Sequence, residues 1–293
     1  MVTAAAYARC LHLAQQHYEN FPVASRLLPA AARPHIAAIY AFARIADDFA
    51  DEGQRSDAAR LALLDDWGRR LQQAAGGTTP AEESDAGAIF LALGDTMRLC
   101  GLEVQLFEDL LSAFRQDVLI KRYETWTDVL EYCRRSANPV GRLVLRIAGY
   151  RDEALDRQAD AVCSALQLTN FWQDLEIDWR RGRLYVPMAV VRETGADVRD
   201  LDRRRASPEW RAALTIAARE TRRLFAAGRP VADSVSGRLR WELRATWLGG
   251  TRILDRLEAG GFDVFRARPT LGWADAVRIG WRTLTWRRSA DAS

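Results

Sequence analysis

Apolar residues recur with helical spacing along almost the whole chain, and the alternating pattern of strands is rare. Ala, Leu, Arg, Glu and Gln dominate, and all of them favour helices. Glycine and proline interrupt the pattern at short intervals. The pattern predicts helices at about residues 3–19, 34–51, 57–75, 85–99, 103–121, 126–149, 152–180, 206–226, 236–258 and from about 271 onward. We therefore predict an all-α fold.

No repeat of solenoid length and no Pro/Ser-rich linker divides the 293 residues, so we predict a single domain over residues 1–293. A 48% share of apolar residues allows a sizeable core, and a net charge of +3 is too small to indicate a nucleic-acid partner. The four cysteines are far apart, which is typical of free thiols. Because the chain shows neither a signal sequence nor a run of ~18 uncharged apolar residues, we expect a cytoplasmic protein.

One stretch carries a stripe of oxygen-bearing side chains. Asn170, Asp174 and Asp178 follow one another at intervals of four residues, which places them along one side of a helix. Their neighbours are apolar and predict a buried helix: Leu166, Leu168, Phe171, Trp172, Leu175 and Ile177. Buried oxygen ligands are costly unless a cation pairs with them. Arginines that suit a polyanion follow at once, so the stretch predicts a divalent metal and a phosphorylated ligand.

A second acidic stretch lies earlier in the chain. Tyr40, Arg44, Asp47 and Asp51 share one helix face, and Asp48 lies one turn after Arg44, where an ion pair with it or a contact behind the metal ligands is expected. Either stretch alone is typical of a solvated helix face. Two of them, about 120 residues apart and both within apolar helices, instead favour two facing acidic helices that hold Mg²⁺ against a diphosphate.

These two motifs, together with Tyr132-Cys133, the segment from Ala137 to Gly141 and Arg183-x-Tyr185-x-Pro187, resemble the squalene/phytoene synthases. The resemblance runs from about His17 to Arg268. It implies the isoprenoid synthase fold of that family, with helices around a central apolar cavity. It also implies a helix break between Ala137 and Gly141.

The resemblance assigns a role to each candidate residue. It implies two or three Mg²⁺ ions, with the ligands Asp47, Asp51, Asn170, Asp174 and Asp178. The catalytic residues that it implies are Tyr40, Asp47, Asp51 and Asp174. The substrate contacts that it implies are His17, Asn20, Phe21, Arg44, Asp48, Tyr132, Ala137, Gly141, Gln167, Phe171, Arg183 and Tyr185.

Some positions depart from the common pattern of the family. Gln173 stands where many relatives have arginine, Asn138-Pro139 replaces a Gly-Thr pair, and the segment from His17 to Pro22 replaces small serines. These segments resemble the bacterial hopanoid-pathway branch of the family, the hydroxysqualene synthases. That resemblance implies conversion of presqualene diphosphate and water to hydroxysqualene, without NADPH. The alternative within the family is head-to-head condensation of two prenyl diphosphates to presqualene diphosphate, squalene or phytoene.

Two interpretations outside the family stay open, a helical metal-dependent phosphohydrolase and a scaffold whose acidic turns are merely solvated. The C-terminal segment from about 271 to 293 is basic and rich in tryptophan. It predicts either a packing helix or a peripheral contact with the inner face of the membrane. Nothing in the pattern favours a particular oligomeric state.

Overall fold

The structure is a computed structural model that describes residues 2–16, 29–78 and 84–286. Within these ranges the secondary structure is helical, without a β-strand, apart from one isolated parallel bridge between Arg122 and Leu184. The predicted all-α fold is therefore confirmed. The four cysteines are free thiols, as predicted. No helix in these ranges is both long enough and apolar enough to span a bilayer.

The helices are numbered in chain order. They are α1 (Val2–Gln16), α2 (Arg33–Asp51), α3 (Asp57–Ala75), α4 (Asp85–Cys100), α5 (Val104–Leu119), α6 (Trp126–Ser136), α7 (Asn138–Ile147), α8 (Glu153–Gln173), α9 (Leu175–Arg180), α10 (Met188–Thr194), α11 (Arg199–Asp202), α12 (Pro208–Gly228), α13 (Val231–Ser234), α14 (Gly237–Ala259) and α15 (Trp273–Leu284).

Two of the predicted helices are each divided in two. The helix predicted at 126–149 is interrupted at Ala137, whose backbone has φ −120° and ψ −45°, just before the Asn138-Pro139 pair that begins α7. The helix predicted at 152–180 is interrupted at Asp174, with φ −102° and ψ 14°. Helical hydrogen bonds nevertheless run through this second break, from the Asp174 amide to the Asn170 carbonyl and from the Asp178 amide to the Asp174 carbonyl, both 2.8 Å. The three oxygen-bearing residues thus keep their helical spacing.

Three short helices, α10, α11 and α13, were not predicted. They have seven, four and four residues, which is too short for a helical period to show in the sequence.

The chain forms two compact units, one of Met1–Leu119 with Pro139–Asp152 and one of Ile120–Asn138 with Glu153–Ser293. In the first unit, α2 packs against α1, α3, α4 and α5. Phe42 of α2 is fully buried, with the rings of Trp67, Phe90 and Phe107 at 6.0, 6.1 and 5.6 Å. The indole of Trp67 also donates to the Phe42 carbonyl at 3.2 Å. This aromatic core fixes the rotation of α2 and hence which face carries its acidic residues.

In the second unit, α8 packs most extensively against α12. Trp172 is buried between them, and its indole N–H donates to the Thr221 hydroxyl at 2.8 Å. Farther along, a β-carbon added to Gly228 would lie 2.6 Å from Val162 Cγ2 and 2.7 Å from the Gln158 carbonyl oxygen. Because backbone atoms occupy that space, only glycine allows the two helices to approach this closely.

The close approach at Gly228 is testable with a matched pair of Gly→Ala variants. We expect Gly228→Ala to lower the free energy of unfolding by about 1–3 kcal/mol, because the added methyl group overpacks the α8–α12 contact. Gly280→Ala in α15 is the control, because a β-carbon added there would have nothing within 4 Å. In urea unfolding it should be neutral or stabilising by up to about 1 kcal/mol through helix propensity. Equal stability of the two variants would contradict the packing argument.

Candidate active site

Arg44 organises the acidic face of α2. Its guanidinium lies 2.6 Å from a carboxylate oxygen of Asp48 and 3.6 Å from oxygens of Asp47 and Glu52. The ion pair expected between Arg44 and Asp48 is therefore confirmed. Tyr40, one turn before Arg44, lies half-buried on the same helix. The predicted candidates Tyr40, Arg44, Asp47 and Asp48 thus lie within three turns of α2.

Asp47 is held in an unfavourable setting for a negative charge. Desolvation is the largest cause that raises its pKa to about 7, the neighbouring Asp51 carboxylate raises it further, and Arg44 opposes both. Its side chain keeps 44% of its surface accessible, so part of the repulsion is screened by solvent. A cation placed against these carboxylates would relieve the repulsion.

Asp117 also contributes to this acidic group, and sequence analysis missed it. It is buried on α5, and its charge raises the pKa of Asp47. In the sequence it follows Arg115 and Gln116 as a single acid without an acidic neighbour. Only the packing of α5 against α2 brings it near the predicted ligands. Asp117 lies seven residues after Leu110, on the apolar face of α5, and an acid at such a position is the one signal that points to it.

The second acidic stripe, Asn170, Asp174 and Asp178, lies half-buried where α8 passes into α9. The guanidinium of Arg268 donates two hydrogen bonds to the carboxylate of Asp174. Its Nε donates to Oδ1, and its Nη2 donates to Oδ2 at 3.1 Å. The side-chain amide of Gln173 donates to the carbonyl of Pro269, the residue after Arg268. In this structure the positive charge against Asp174 is therefore the guanidinium of Arg268. Sequence analysis did not predict this contact, because 94 residues separate the two partners.

Backbone hydrogen bonds hold the segment after α9 that carries Arg183 and Tyr185. The Arg183 amide donates to the Asp178 carbonyl at 2.8 Å, and the Leu184 amide to the Lys121 carbonyl at 3.0 Å. Arg183 is buried, as is unusual for an arginine. The predicted phosphate-binding residue is thus fixed to the end of the acidic stripe.

Four aromatic rings form a cluster beside the stripe. Phe171 and Tyr185 stack with centroids 3.6 Å apart and an interplanar angle of 4°. Tyr132 lies 6.0 Å from Phe171 and 5.7 Å from Tyr185, and Tyr123 lies 5.5 Å from Tyr185. The structure therefore brings together the predicted residues Tyr132, Phe171 and Tyr185. Tyr123 was not predicted; it joins them because residues 121–124 pair with the segment after Arg183.

The helix break near Ala137 places Asn138, at the start of α7, against Ser164 of α8. The Ser164 hydroxyl donates to the Asn138 side-chain oxygen at 2.8 Å, and both residues are buried. Gln167 lies one turn after Ser164, half-buried. Phe171 follows two turns after Ser164, so the polar pair and the aromatic cluster share one side of α8.

The remaining candidates have mixed outcomes. Ala137 is buried and Gly141 half-buried. His17, Asn20 and Phe21 lie outside the described residues. Ile177, predicted as a buried flank of the stripe, is exposed, which corrects that prediction. It lies beyond the interruption at Asp174, where α9 has only its first residue, Leu175, buried.

The donors at both acidic groups are carboxylate and amide oxygens, which fit a hard cation such as Mg²⁺. The negative charge of Asp47 is disfavoured by burial and by its acidic neighbours, and Asp174 already pairs with a guanidinium. Both carboxylates therefore lie where a positive charge is stabilising. Among residues 2–16, 29–78 and 84–286, no three Asp, Glu, His or Cys side chains already form a complete metal site. The residues thus suit the metal in kind, and their side chains would have to rearrange to bind it.

Comparison with known proteins identifies close relatives. The squalene/phytoene synthase family profile matches residues 14–275. A hydroxysqualene synthase of Zymomonas mobilis is 41% identical over 71% of this chain and 67% of its own length. A 15-cis-phytoene synthase of Synechococcus elongatus is 30% identical over 90% of this chain and 87% of its own. The crystal structure of a squalene synthase from Alicyclobacillus acidocaldarius superposes with a TM-score of 0.82 at 37% identity, and covers 89% of this chain and 95% of that one.

The raised pKa of Asp47 predicts a pH dependence of stability. The pKa rises from 3.8 to about 7 on folding, so between these values the folded protein keeps a proton that the unfolded chain has lost. The free energy of unfolding therefore falls as pH rises through this window. Asp47→Asn removes the effect. The measurement is the melting temperature of Asp47→Asn minus that of the unsubstituted protein, in chelator-treated buffer. We expect this difference to increase from about pH 4 to about pH 8.

The control is Asp57→Asn, which removes the same charge from an exposed position at the start of α3. Its melting temperature relative to the unsubstituted protein should not rise across this window. A constant difference between Asp47→Asn and the unsubstituted protein at every pH would contradict the assignment.

Proposed function

The chain belongs to the squalene/phytoene synthase family, which acts on prenyl diphosphates, and from that premise we propose that it converts presqualene diphosphate and water to hydroxysqualene and diphosphate. The observation that carries the proposal is at position 173. There the chain has a glutamine whose amide binds the Pro269 carbonyl, at a position where the family resemblance implies an arginine that neutralises diphosphate. A subsite with one cation fewer suits an enzyme that processes a single, already joined diphosphate.

The acidic residues have a binding role in this proposal. Asp47 and Asp51 of α2, and Asn170, Asp174 and Asp178 of the second stripe, would hold Mg²⁺. When bound, the metal neutralises the diphosphate and makes it a better leaving group. Arg183, buried next to the second stripe, supplies a further positive charge. Arg268 pairs with Asp174 in this structure, and in this proposal its guanidinium would pair with a phosphate oxygen when a metal is bound to Asp174.

The reaction begins with cleavage of the bond between carbon and the diphosphate oxygen. The electron pair leaves with the diphosphate, and a cyclopropylcarbinyl cation remains. Its ring opens to an allylic cation, water adds through its oxygen, and one proton is released. No electrons are gained or lost overall, so this reaction needs no reductant, in agreement with the expectation that NADPH is not used.

The aromatic cluster is suited to protect these cations. Aromatic faces stabilise a nearby positive charge without acting as nucleophiles. Phe171 and Tyr185 provide such faces next to the acidic stripe in the chain, and Tyr123 and Tyr132 extend the aromatic wall from them. The stacked pair of Phe171 and Tyr185 has little freedom to move, which keeps the wall in place while the carbon skeleton rearranges.

Head-to-head condensation remains the second candidate, because the 15-cis-phytoene synthase match covers more of the chain than the hydroxysqualene synthase match. Condensation requires the protein to bind two prenyl diphosphates together. The two candidates therefore differ in the substrate that supports turnover.

Product analysis separates the two reactions. With presqualene diphosphate, Mg²⁺ and no reductant, we expect hydroxysqualene and diphosphate, detected by mass spectrometry and a phosphate assay. In H₂¹⁸O the alcohol should carry ¹⁸O, because the hydroxyl oxygen comes from water. Farnesyl diphosphate or geranylgeranyl diphosphate alone should give no joined product. Conversion of either to presqualene diphosphate, squalene or phytoene would favour condensation instead.

The metal assignment is tested by ligand-induced stabilisation. Mg²⁺ with inorganic diphosphate should raise the melting temperature, because a ligand at a hundred times its Kd stabilises by about 2.7 kcal/mol. We expect Asp51→Asn and Asp174→Asn to lose most of this shift and to lower turnover at least about a hundredfold. Asp57→Asn, with an exposed carboxylate outside both groups, should behave as the unsubstituted protein. An unchanged shift in both site variants would reject these residues as metal ligands.

A further inference from the structure

Helix α15 contacts the rest of its unit through polar side chains. Asp275 is buried and accepts from Arg252 Nε at 2.7 Å and from Arg256 Nη2 at 2.5 Å, both on α14. It also accepts from the Gly272 amide at 2.9 Å, which fixes the start of α15. Thr283, two turns after Asp275, is the other buried residue of the helix. An ion-paired carboxylate, rather than an apolar seam, thus attaches α15.

The end of the helix is attached as well. Just beyond it, the Trp286 ring lies 5.4 Å from that of Trp247 on α14, and its indole N–H donates to Asp233 at 3.0 Å. The guanidinium of Arg229 lies 4.3 Å from the centre of the Trp286 ring. Because both ends are held, the rotation of α15 about its axis is defined.

That rotation turns the apolar side of α15 outward. Trp273, Val277, Trp281 and Leu284, spaced by four, four and three residues, lie on one face and are 80%, 56%, 67% and 68% exposed. We call these four residues the outer stripe. A surface helix of a globular protein normally buries such a stripe and exposes its polar residues. Here the order is reversed, so the outer stripe is an exposed apolar patch of the kind that marks an interaction site.

Charge around the outer stripe indicates what it contacts. Arg278 and Arg282 are exposed along one edge of it. The only acidic residue of α15, Asp275, is buried in its ion pairs and leaves the exposed side with positive charge alone. The sequence continues with Arg287 and Arg288. Two copies of this face would bring arginines together without an acid of the same helix to pair them, whereas an anionic surface would pair them all.

We propose that the outer stripe of α15 docks the protein on an anionic lipid surface. Tryptophan favours the boundary between lipid headgroups and acyl chains, and arginine binds anionic headgroups from the same level. A helix of 12 residues is about 18 Å long, too short to cross a bilayer, but suited to lie in its surface. This inference does not rest on the reaction proposed above.

Vesicle flotation with the full chain tests this surface. The unsubstituted protein should float with vesicles of phosphatidylcholine and phosphatidylglycerol, less with phosphatidylcholine alone, and less again at high salt. Trp273→Ser with Trp281→Ser should weaken binding at least about tenfold, because two large apolar contacts are lost. Arg278→Glu with Arg282→Glu should remove the preference for phosphatidylglycerol.

The matched control is Leu99→Ser with Leu119→Ser, which removes two apolar side chains of comparable exposure, 57% and 58%, from other helices. It should float like the unsubstituted protein. All variants should keep their helical circular dichroism. Failure of the unsubstituted protein to float, or equal flotation of the tryptophan variant, would overturn the proposal. If the unsubstituted protein does not bind vesicles but sediments as a dimer, and the tryptophan variant sediments as a monomer, the outer stripe would instead bind a second copy of the chain.

Discussion

Close packing of α8 against α12 is the contact on which most of the second unit depends. Gly228 allows the two backbones to approach, and the bond from Trp172 to Thr221 fixes how far α8 is rotated. Once that rotation is set, the side of α8 that carries Ser164 and Phe171 is determined, and Asp174 follows through continuous helical bonding. The positions of Ser164, Phe171 and Asp174 are thus consequences of a single helix contact, and Asn138, Tyr123 and Tyr132 join them from other segments.

The acidic residues of both units are accommodated in one of two ways. Either the carboxylate lies next to an arginine, or its pKa is raised so that it ionises less readily. Arg44 pairs with Asp48 and Arg268 pairs with Asp174, whereas the pKa of Asp47 is raised by desolvation and, to a smaller extent, by the charges of Asp51 and Asp117. Such arrangements cost stability in the folded protein, and they are common where a cation or a charged ligand binds. They are the electrostatic basis for proposing these residues as binding residues rather than as residues that stabilise the fold.

The C-terminal helix shows the opposite use of apolar residues. Elsewhere in the described chain, most large apolar side chains lie in the core, as Phe42 and Trp172 do. In α15 the side chain that packs against the rest of the unit is Asp275, which forms ion pairs with Arg252 and Arg256. The side chains of Trp273 and Trp281 are exposed. A helix attached in this way can present an apolar surface without losing its place in the fold, because ion pairs and not apolar burial determine its orientation.

Helical periodicity alone predicted the long helices, since core-facing apolar residues repeat every three or four positions whatever the tertiary context. Motif spacing likewise predicted that Asn170, Asp174 and Asp178 share one side of a helix, and the Arg44–Asp48 pair, because partners within one or two turns need no tertiary structure. The family resemblance anticipated the break near Ala137 that periodicity alone did not. The tertiary structure decided the rest: Asp117 beside Asp47, Arg268 on Asp174, Tyr123 in the aromatic cluster and the outward turn of α15. Each of these depends on contacts between residues far apart in the chain, and local spacing carries no information about such contacts.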